Sequence, residues 1–403
     1  MSHDAQDLSR RDMMRLGATS VAAAGMASLP VQADDKAGSD KLPKRRYGRT
    51  GLEIVWLVGA SDWSKELVHR AVNSGVNYWH KAQKWNAETL PPVFKTLPRE
   101  SYYLECVVDR VNGSHERGKI DEEQHYQFVK TCLKNSGLGY YDVYKFHFGY
   151  HSVEEAKQNT GMVRAFERLK KEGLVKHLAI SQHHYNNIGG DMAWEIMHYL
   201  ADNRPYEATQ FFHTYGDRKE VQEWIEVAKK KDIGTIAMKT MGGVGRAASD
   251  DKFKKLLADP KYQGSTPGAA MVKWLKSNDN LTAAVIANKN FEQFRENSGA
   301  AMTLALGPQD NAVLGLLSGY NKGLTCLLCA ECVSSCPENL AIADIFRYER
   351  YALDYLDLER AKSEYAALTR NGTSCVGCGD CLPTCIQEID IAAKLKDVHR
   401  LLG

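Results

Sequence analysis

Two stretches near the C-terminal end, CLLCAECVSSCP and CVGCGDCLPTC, limit what this chain can be more than any other feature. The first holds Cys326, Cys329, Cys332 and Cys336, and the second holds Cys375, Cys378, Cys381 and Cys385. Each has the spacing C-x2-C-x2-C-x3-C, and every cysteine of the second lies 49 positions after its counterpart. Cysteines two residues apart in a tight turn seldom meet disulfide geometry. Zinc takes four ligands per site, often as two separated pairs. Three close thiolates followed by a fourth instead suit a cubane iron–sulfur cluster.

The run resembles that of bacterial two-cluster ferredoxins. In that family the fourth cysteine of each run serves the other cluster. The resemblance therefore implies one [4Fe–4S] cluster on Cys326, Cys329, Cys332 and Cys385, and a second on Cys375, Cys378, Cys381 and Cys336. Pro337 follows the first motif, whereas Ile386 follows the second and Pro383 sits inside its spacer, so the second loop is expected to turn differently. Residues 338–370 contain neither Gly nor Pro, and their apolar positions recur at helical spacing. This insert is similar to the helical two-cluster domains of respiratory enzymes. Residues 391–402 read as a closing amphipathic helix. The two remaining cysteines, Cys106 and Cys132, read as buried fillers.

The N-terminal end carries its own signal. Arg10 and Arg11 precede a mildly apolar segment from Leu16 to Pro30, and Val31-Gln32-Ala33 follows as a small-residue cleavage site. This resembles a twin-arginine signal peptide over residues 1–33, with a polar linker over 34–43. The resemblance implies export of folded cargo by the twin-arginine translocase and a periplasmic location. That route suits a chain whose clusters are assembled in the cytoplasm, since threading it unfolded would lose them. The apolar segment is short of the ~20 residues a membrane span needs, so no transmembrane segment is expected in the mature chain. A formal net charge of +2 without a long single-sign run argues against a nucleic-acid partner.

Residues 44–308 read as an α/β barrel, and 309–403 as the mainly α-helical two-cluster domain. Eight apolar, strand-like runs alternate with helical patterns, from LEIVWLVGA (52–60) through GVNYWHKA (75–82) to LTAAVIANK (281–289). That alternation predicts a (β/α)8 TIM-type barrel. No G-x-G-x-x-G follows the first strand, which leaves an open dinucleotide-binding sheet without support. GGVGRA (242–247) is a glycine-rich turn after the seventh strand, where barrels often bind phosphate.

Several segments in order then resemble the aldo-keto reductase family, and its iron–sulfur-containing subset in particular. They are RRYGRTGLEI, SGLGYYDVYKFHF, ERLKKEGLVKHLAISQHH, IAMKTMGG and NFEQFRENSGA. The family's chemistry is hydride transfer from NADPH to a carbonyl, with a Tyr proton donor tuned by Lys, Asp and His. By position His80 replaces the Asp, Trp85 the Tyr and Val107 the Lys, and only His147 remains. An indole is not a phenolic acid, so the usual carbonyl reduction is expected to be lost. In the nicotinamide site Ser181 and Gln182 stand where Ser-Asn is usual, and His213 where a Tyr stacks. These changes argue against NADP(H).

Six histidines, His80, His147, His151, His183, His184 and His213, fall at or just past strand C-terminal ends, and Lys239 joins them. That is the functional face of a barrel. Such a cluster suits a metal, or an anionic or redox ligand. The reading is an exported oxidoreductase that passes electrons through two [4Fe–4S] clusters between a redox partner protein of the cell envelope and a repurposed pocket. That pocket is lined by His147, His80, Trp85 and Lys239. The alternatives are a non-catalytic electron-transfer subunit with the barrel as scaffold, and an NADPH-dependent carbonyl reductase.

Overall fold

A computed structural model describes residues 42–109, 121–147, 149–183, 190–302, 305–355 and 357–403. The expected signal peptide and all but two residues of the linker, like His184, lie outside the described residues. The chain opens with an antiparallel hairpin of β1 (Lys44–Arg46) and β2 (Glu53–Val55). Eight parallel strands then close into a barrel. They are β3 (Leu57–Ala60), β4 (Tyr78–His80), β5 (Tyr103–Val108), β6 (Tyr141–Phe146), β7 (Val175–Ser181), β8 (Ala208–Phe212), β9 (Gly234–Met238) and β10 (Ala283–Val285). Neighbours follow chain order, and β10 closes on β3. This is the (β/α)8 architecture the alternating pattern predicts.

The run LEIVWLVGA is not one strand. It breaks at Trp56, whose N–H donates to Pro43 O at 3.0 Å while its own carbonyl accepts from Ala284 N at 2.9 Å. One side of the break pairs with the hairpin and the other with the barrel. An apolar run records burial but not the partner, so the two strands read as one.

The helices between strands follow local rules. Ser64 caps α1 (Lys65–Asn73) by accepting from Leu67 N–H. Asp121 caps α2 (Glu122–Ser136), which ends on Gly137 at φ 71°. On α3 (Gly161–Lys171) Met162, Ala165, Phe166 and Leu169 recur at helical spacing and are buried.

The hairpin plugs the bottom of the barrel. Tyr47 is fully buried against Tyr78, ring to ring at 5.5 Å, beside Val143, Ala208 and Ile236. Gly48 makes this possible, because a Cβ there would stand 2.0 Å from Gly234 N.

The helix α4 (Pro308–Asn321) lies beyond the expected boundary at 308, yet its Val313, Leu314 and Leu317 belong to the barrel core. The second core begins at Cys326 and takes in Phe212 and Met238 from the top of the barrel. Its helices are α5 (Ile342–Leu353), α6 (Leu358–Ala366) and α7 (Ile391–Leu402). The 49-residue repeat extends well past the cysteines. Helices α5 and α7 are both 12 residues long and start 49 positions apart. Left-handed backbone recurs at the same interval, at Leu328 and Gly377, Ala330 and Gly379, and Asn339 and Glu388. The second loop therefore turns like the first at these positions, despite Pro383 and Ile386.

Gly48→Ala combines a backbone clash with a φ of +52°. It is expected to destabilise the barrel by more than about 2 kcal/mol, read as a lower denaturation midpoint. Gly51→Ala, which meets nothing within 4 Å, should cost only about 1 kcal/mol.

Candidate functional site

The barrel interior changes character one layer above the plug. Two residues beyond Tyr78, Val143 and Ala208 stand His80, Lys145 and Gln210, and Glu105 joins them from β5. Side chains on a strand alternate faces, so a step of two keeps them pointing inward. Glu105 and Lys145 are both 0 % exposed. The Glu105 carboxylate accepts from Tyr78 OH at 2.7 Å, from Lys145 Nζ at 2.8 Å and from His80 Nδ1 at 2.5 Å. Lys145 also donates to Gln210 Oε1. Burial alone would raise the Glu105 pKa, but Lys145 and then His80 hold it well below the usual carboxylate range. Burial and the Lys145 charge push His80 down to about 3. Burial and Lys145 thus favour the uncharged imidazole of His80, whose Nδ1 meets both Glu105 and, at 3.2 Å, Lys145 Nζ.

Above this layer lies a cavity of about 440 Å³ at the barrel mouth. His80, His147, His183, Ser181 and Lys239 line it from the strand ends. Its roof is the C-terminal region, through Tyr351 of α5, Tyr355, and Arg360 of α6. His147 bonds through Nδ1 to Asp109, and its ring meets His183 edge-on at 5.0 Å. Burial, then His147, hold His183 well below the usual imidazole value.

Other expected residues are placed elsewhere. Trp85 is not part of the cavity. It packs against Phe94 and Trp79, ring centroids 5.0 and 6.1 Å away, and donates to Ser61 O at 3.3 Å. Aromatic neighbours on two elements take the indole into the core. Gln182 is buried, and its amide donates to Tyr150 O at 3.0 Å rather than lining the cavity. His213 is held by Asp217 at 2.7 Å and packs on Trp274, so it does not line the barrel-mouth cavity either. His151 pairs with Glu155 outside it. Val107 is a buried apolar residue at the position expected for the family's Lys. Among the described residues no three His, Cys, Asp or Glu side chains converge as ligands of one ion would.

The glycine-rich turn is a packing device. A Cβ on Gly245 would stand 2.7 Å from Asp354 O, at the end of α5. Arg246 beside it reaches Glu349 at 3.4 Å. The turn thus seats the C-terminal helices on the barrel, and Arg218 pairs with Glu331 across the same junction.

A second, small cavity lies against this junction. Lys239 lines it together with Phe212, His213 and Cys329. The eight motif cysteines are all free of disulfides. Burial raises the Cys326 thiol to about 12, with Cys329 and Cys385 adding to it. Burial also raises Cys332, with Cys326, Cys329 and Cys385 next in weight. Cys381 is raised by burial, with Cys336, Cys375 and Cys378 as its thiol neighbours. The sulfurs thus group across the repeats, and Cys332 also feels Cys381. A cubane takes each thiolate on a different iron, so its ligands stand farther apart than donors around a single ion. The loops suit an anionic cluster. Left-handed residues turn backbone N–H groups into a concavity, and Leu328 N–H and Ile389 N–H point at Cys326 Sγ and Cys385 Sγ, at 3.3 and 3.4 Å. The donor set is of the kind a [4Fe–4S] cluster takes, and both N–H···S contacts fall within the set Cys326, Cys329, Cys332 and Cys385.

Fold and site define a (β/α)8-barrel protein with a covered, polar barrel mouth. The aldo/keto reductase family model matches residues 47–314. The chain belongs to that family, which is one of oxidoreductases. Among solved structures it is similar to the holo form of an aldo-keto reductase from Bacillus halodurans, at 15% identity and TM-score 0.50, over 68% of this chain and 96% of that one. A provisionally assigned aldo-keto reductase from Pseudomonas aeruginosa matches at 17% identity and TM-score 0.47, over 66% and 96%. At 15% identity the likeness to the Bacillus halodurans protein is one of fold. No curated protein sequence matches the chain.

Glu105→Gln should cost about 3–5 kcal/mol, because it leaves Lys145 buried without its counter-charge. Glu105→Leu combined with Lys145→Met should be less damaging than Glu105→Gln alone. Chemical denaturation of the three proteins checks this, and equal losses would deny the pairing.

Proposed function

We propose that this chain is an exported, periplasmic iron–sulfur oxidoreductase that exchanges electrons between an envelope redox partner protein and a ligand in the barrel-mouth cavity. When bound, two [4Fe–4S] clusters supply single electrons to that exchange. Cys326, Cys329, Cys332 and Cys385 would hold one cluster, and Cys336, Cys375, Cys378 and Cys381 the other. The observation that carries the reading is Lys239, which lines both the barrel-mouth cavity and the small cavity that reaches Cys329. The first cysteine set thus lies one side chain away from the ligand's place. The second set includes the exposed Cys378 and suits contact with a partner.

The barrel's residues handle protons. His80 lines the cavity, burial favours its neutral form, and its Nδ1 is engaged by Glu105 and Lys145. Its Nε2 is left to take up or return a proton as the ligand's charge changes. Glu105 fixes the ring, and Lys145 balances the carboxylate beneath it. His147, held by Asp109, lines the same cavity as a second proton carrier. The burial of Trp85 and the turning away of Gln182 and His213 support the loss of NADPH-dependent carbonyl reduction. The pair Arg10-Arg11 supports export of a folded, cluster-loaded chain.

Low-temperature electron paramagnetic resonance of the anaerobically reconstituted, reduced protein tests the ligand sets. Cys385→Ala should remove the same signal as Cys326→Ala, although the two lie in different repeats. Cys336→Ala should match Cys375→Ala. Grouping by repeat instead would overturn the assignment. His80→Gln should leave both signals in place while slowing cluster reoxidation by a cavity ligand. Unchanged reoxidation would favour a barrel that serves as scaffold.

A further inference from the structure

Lys81 and Lys239 are placed alike. Each is the first residue after a barrel strand, β4 and β9. Each has left-handed backbone, φ 60° and 57°. That conformation costs a side-chain-bearing residue about 1–2 kcal/mol and persists where the surroundings impose it. Both lysines line the barrel-mouth cavity, and Arg360 lines it from the roof. Among the described residues neither lysine has an acidic side chain within ion-pair distance.

The surroundings are cationic and aromatic. Lys81 is faced by Lys84, Lys239, Arg360 and Tyr351. Lys239 is faced by Arg360, Arg347 and Arg350, with Glu364 as the acid among its neighbours. Glu364 already pairs with Arg360 at 3.4 Å. The Lys239 ammonium lies 4.8 and 5.2 Å from the ring centres of Tyr351 and Tyr355, and the Arg360 guanidinium lies 4.1 Å from Tyr351. Of the two cavity acids, Asp357 accepts from Arg360 N–H as a helix cap and Asp62 is exposed. Burial, then the neighbouring cations, lower Lys81 to about 8. Half-buried ammonium groups without a paired acid are costly, and an anion placed between them lowers that cost.

We propose that Lys81, Lys239 and Arg360 form an oxyanion site, and that the cavity's ligand is a flat organic molecule carrying a carboxylate or phosphate group. This rests on the reading of the barrel mouth as the working site, and it names the class of ligand that works there. The tyrosine rings receive the flat part and the cations the charged end.

Calorimetric titration of the cluster-loaded protein with benzoate, phenyl phosphate and neutral benzamide tests it. At least one anion should bind about tenfold or more tighter than benzamide, and which one does so separates carboxylate from phosphate ligands. Lys239→Met and Lys81→Met should each weaken that anion by about tenfold or more, and Lys239→Arg should restore most of the loss. The bound anion favours charged lysines, so affinity should fall as pH rises through about 8, with protons taken up on binding at the alkaline end. Benzamide binding as tightly as both anions, no saturable binding of either anion, or Met variants equal to the parent would each overturn the proposal. Visible absorption of the clusters is read on the same samples. Anion binding with clusters indifferent to every oxidant would leave the site standing and remove the electron-transfer reading.

Discussion

Everything distinctive about this molecule depends on the seating of its cysteine-bearing region on the barrel mouth. Close approach at Gly245 lets the end of α5 reach the barrel, and Phe212 and Met238 pass from the barrel top into the second core. Without that contact the barrel would have an open mouth and the cysteine loops would have no apolar backing. With it, the mouth becomes a roofed cavity with Lys239 between the cavity and Cys329.

The roof changes what the barrel can do. Water is restricted around His80, Glu105 and Lys145, so a single buried carboxylate can fix one imidazole and one ammonium together. Low polarity strengthens such pairs and makes each partner costly to lose. The floor thereby carries an acid, a lysine and two histidines, drawn from β4, β5 and the end of β6.

Much of this was legible in the sequence. The cysteine spacing carried the repeat, and the structure extends it to matching left-handed residues and to helices of equal length. The closing helix over residues 391–402 followed from its apolar spacing. Strand existence followed from apolar runs. Glu105 and Lys145 carry no family-position signal, since the resemblance points to Val107 instead. Counting by twos from Val107 and His147 along YLECVV and YDVYKF finds both residues on the inward face. Trp85, Tyr351 and Arg360 were not legible, since their places are set by packing between segments far apart in the chain.

On the proposed reading, the family's hydride chemistry has given way to electron transfer through clusters that the eight motif cysteines would hold. The most direct measurement is a fluorescence titration of anaerobically purified, cluster-loaded protein with NADPH, with cluster absorption followed in the same cuvette. On this reading, no saturable binding and clusters that stay oxidised are expected. Saturable binding at micromolar NADPH, with hydride consumed, would contradict it and return the barrel to its family's ordinary chemistry.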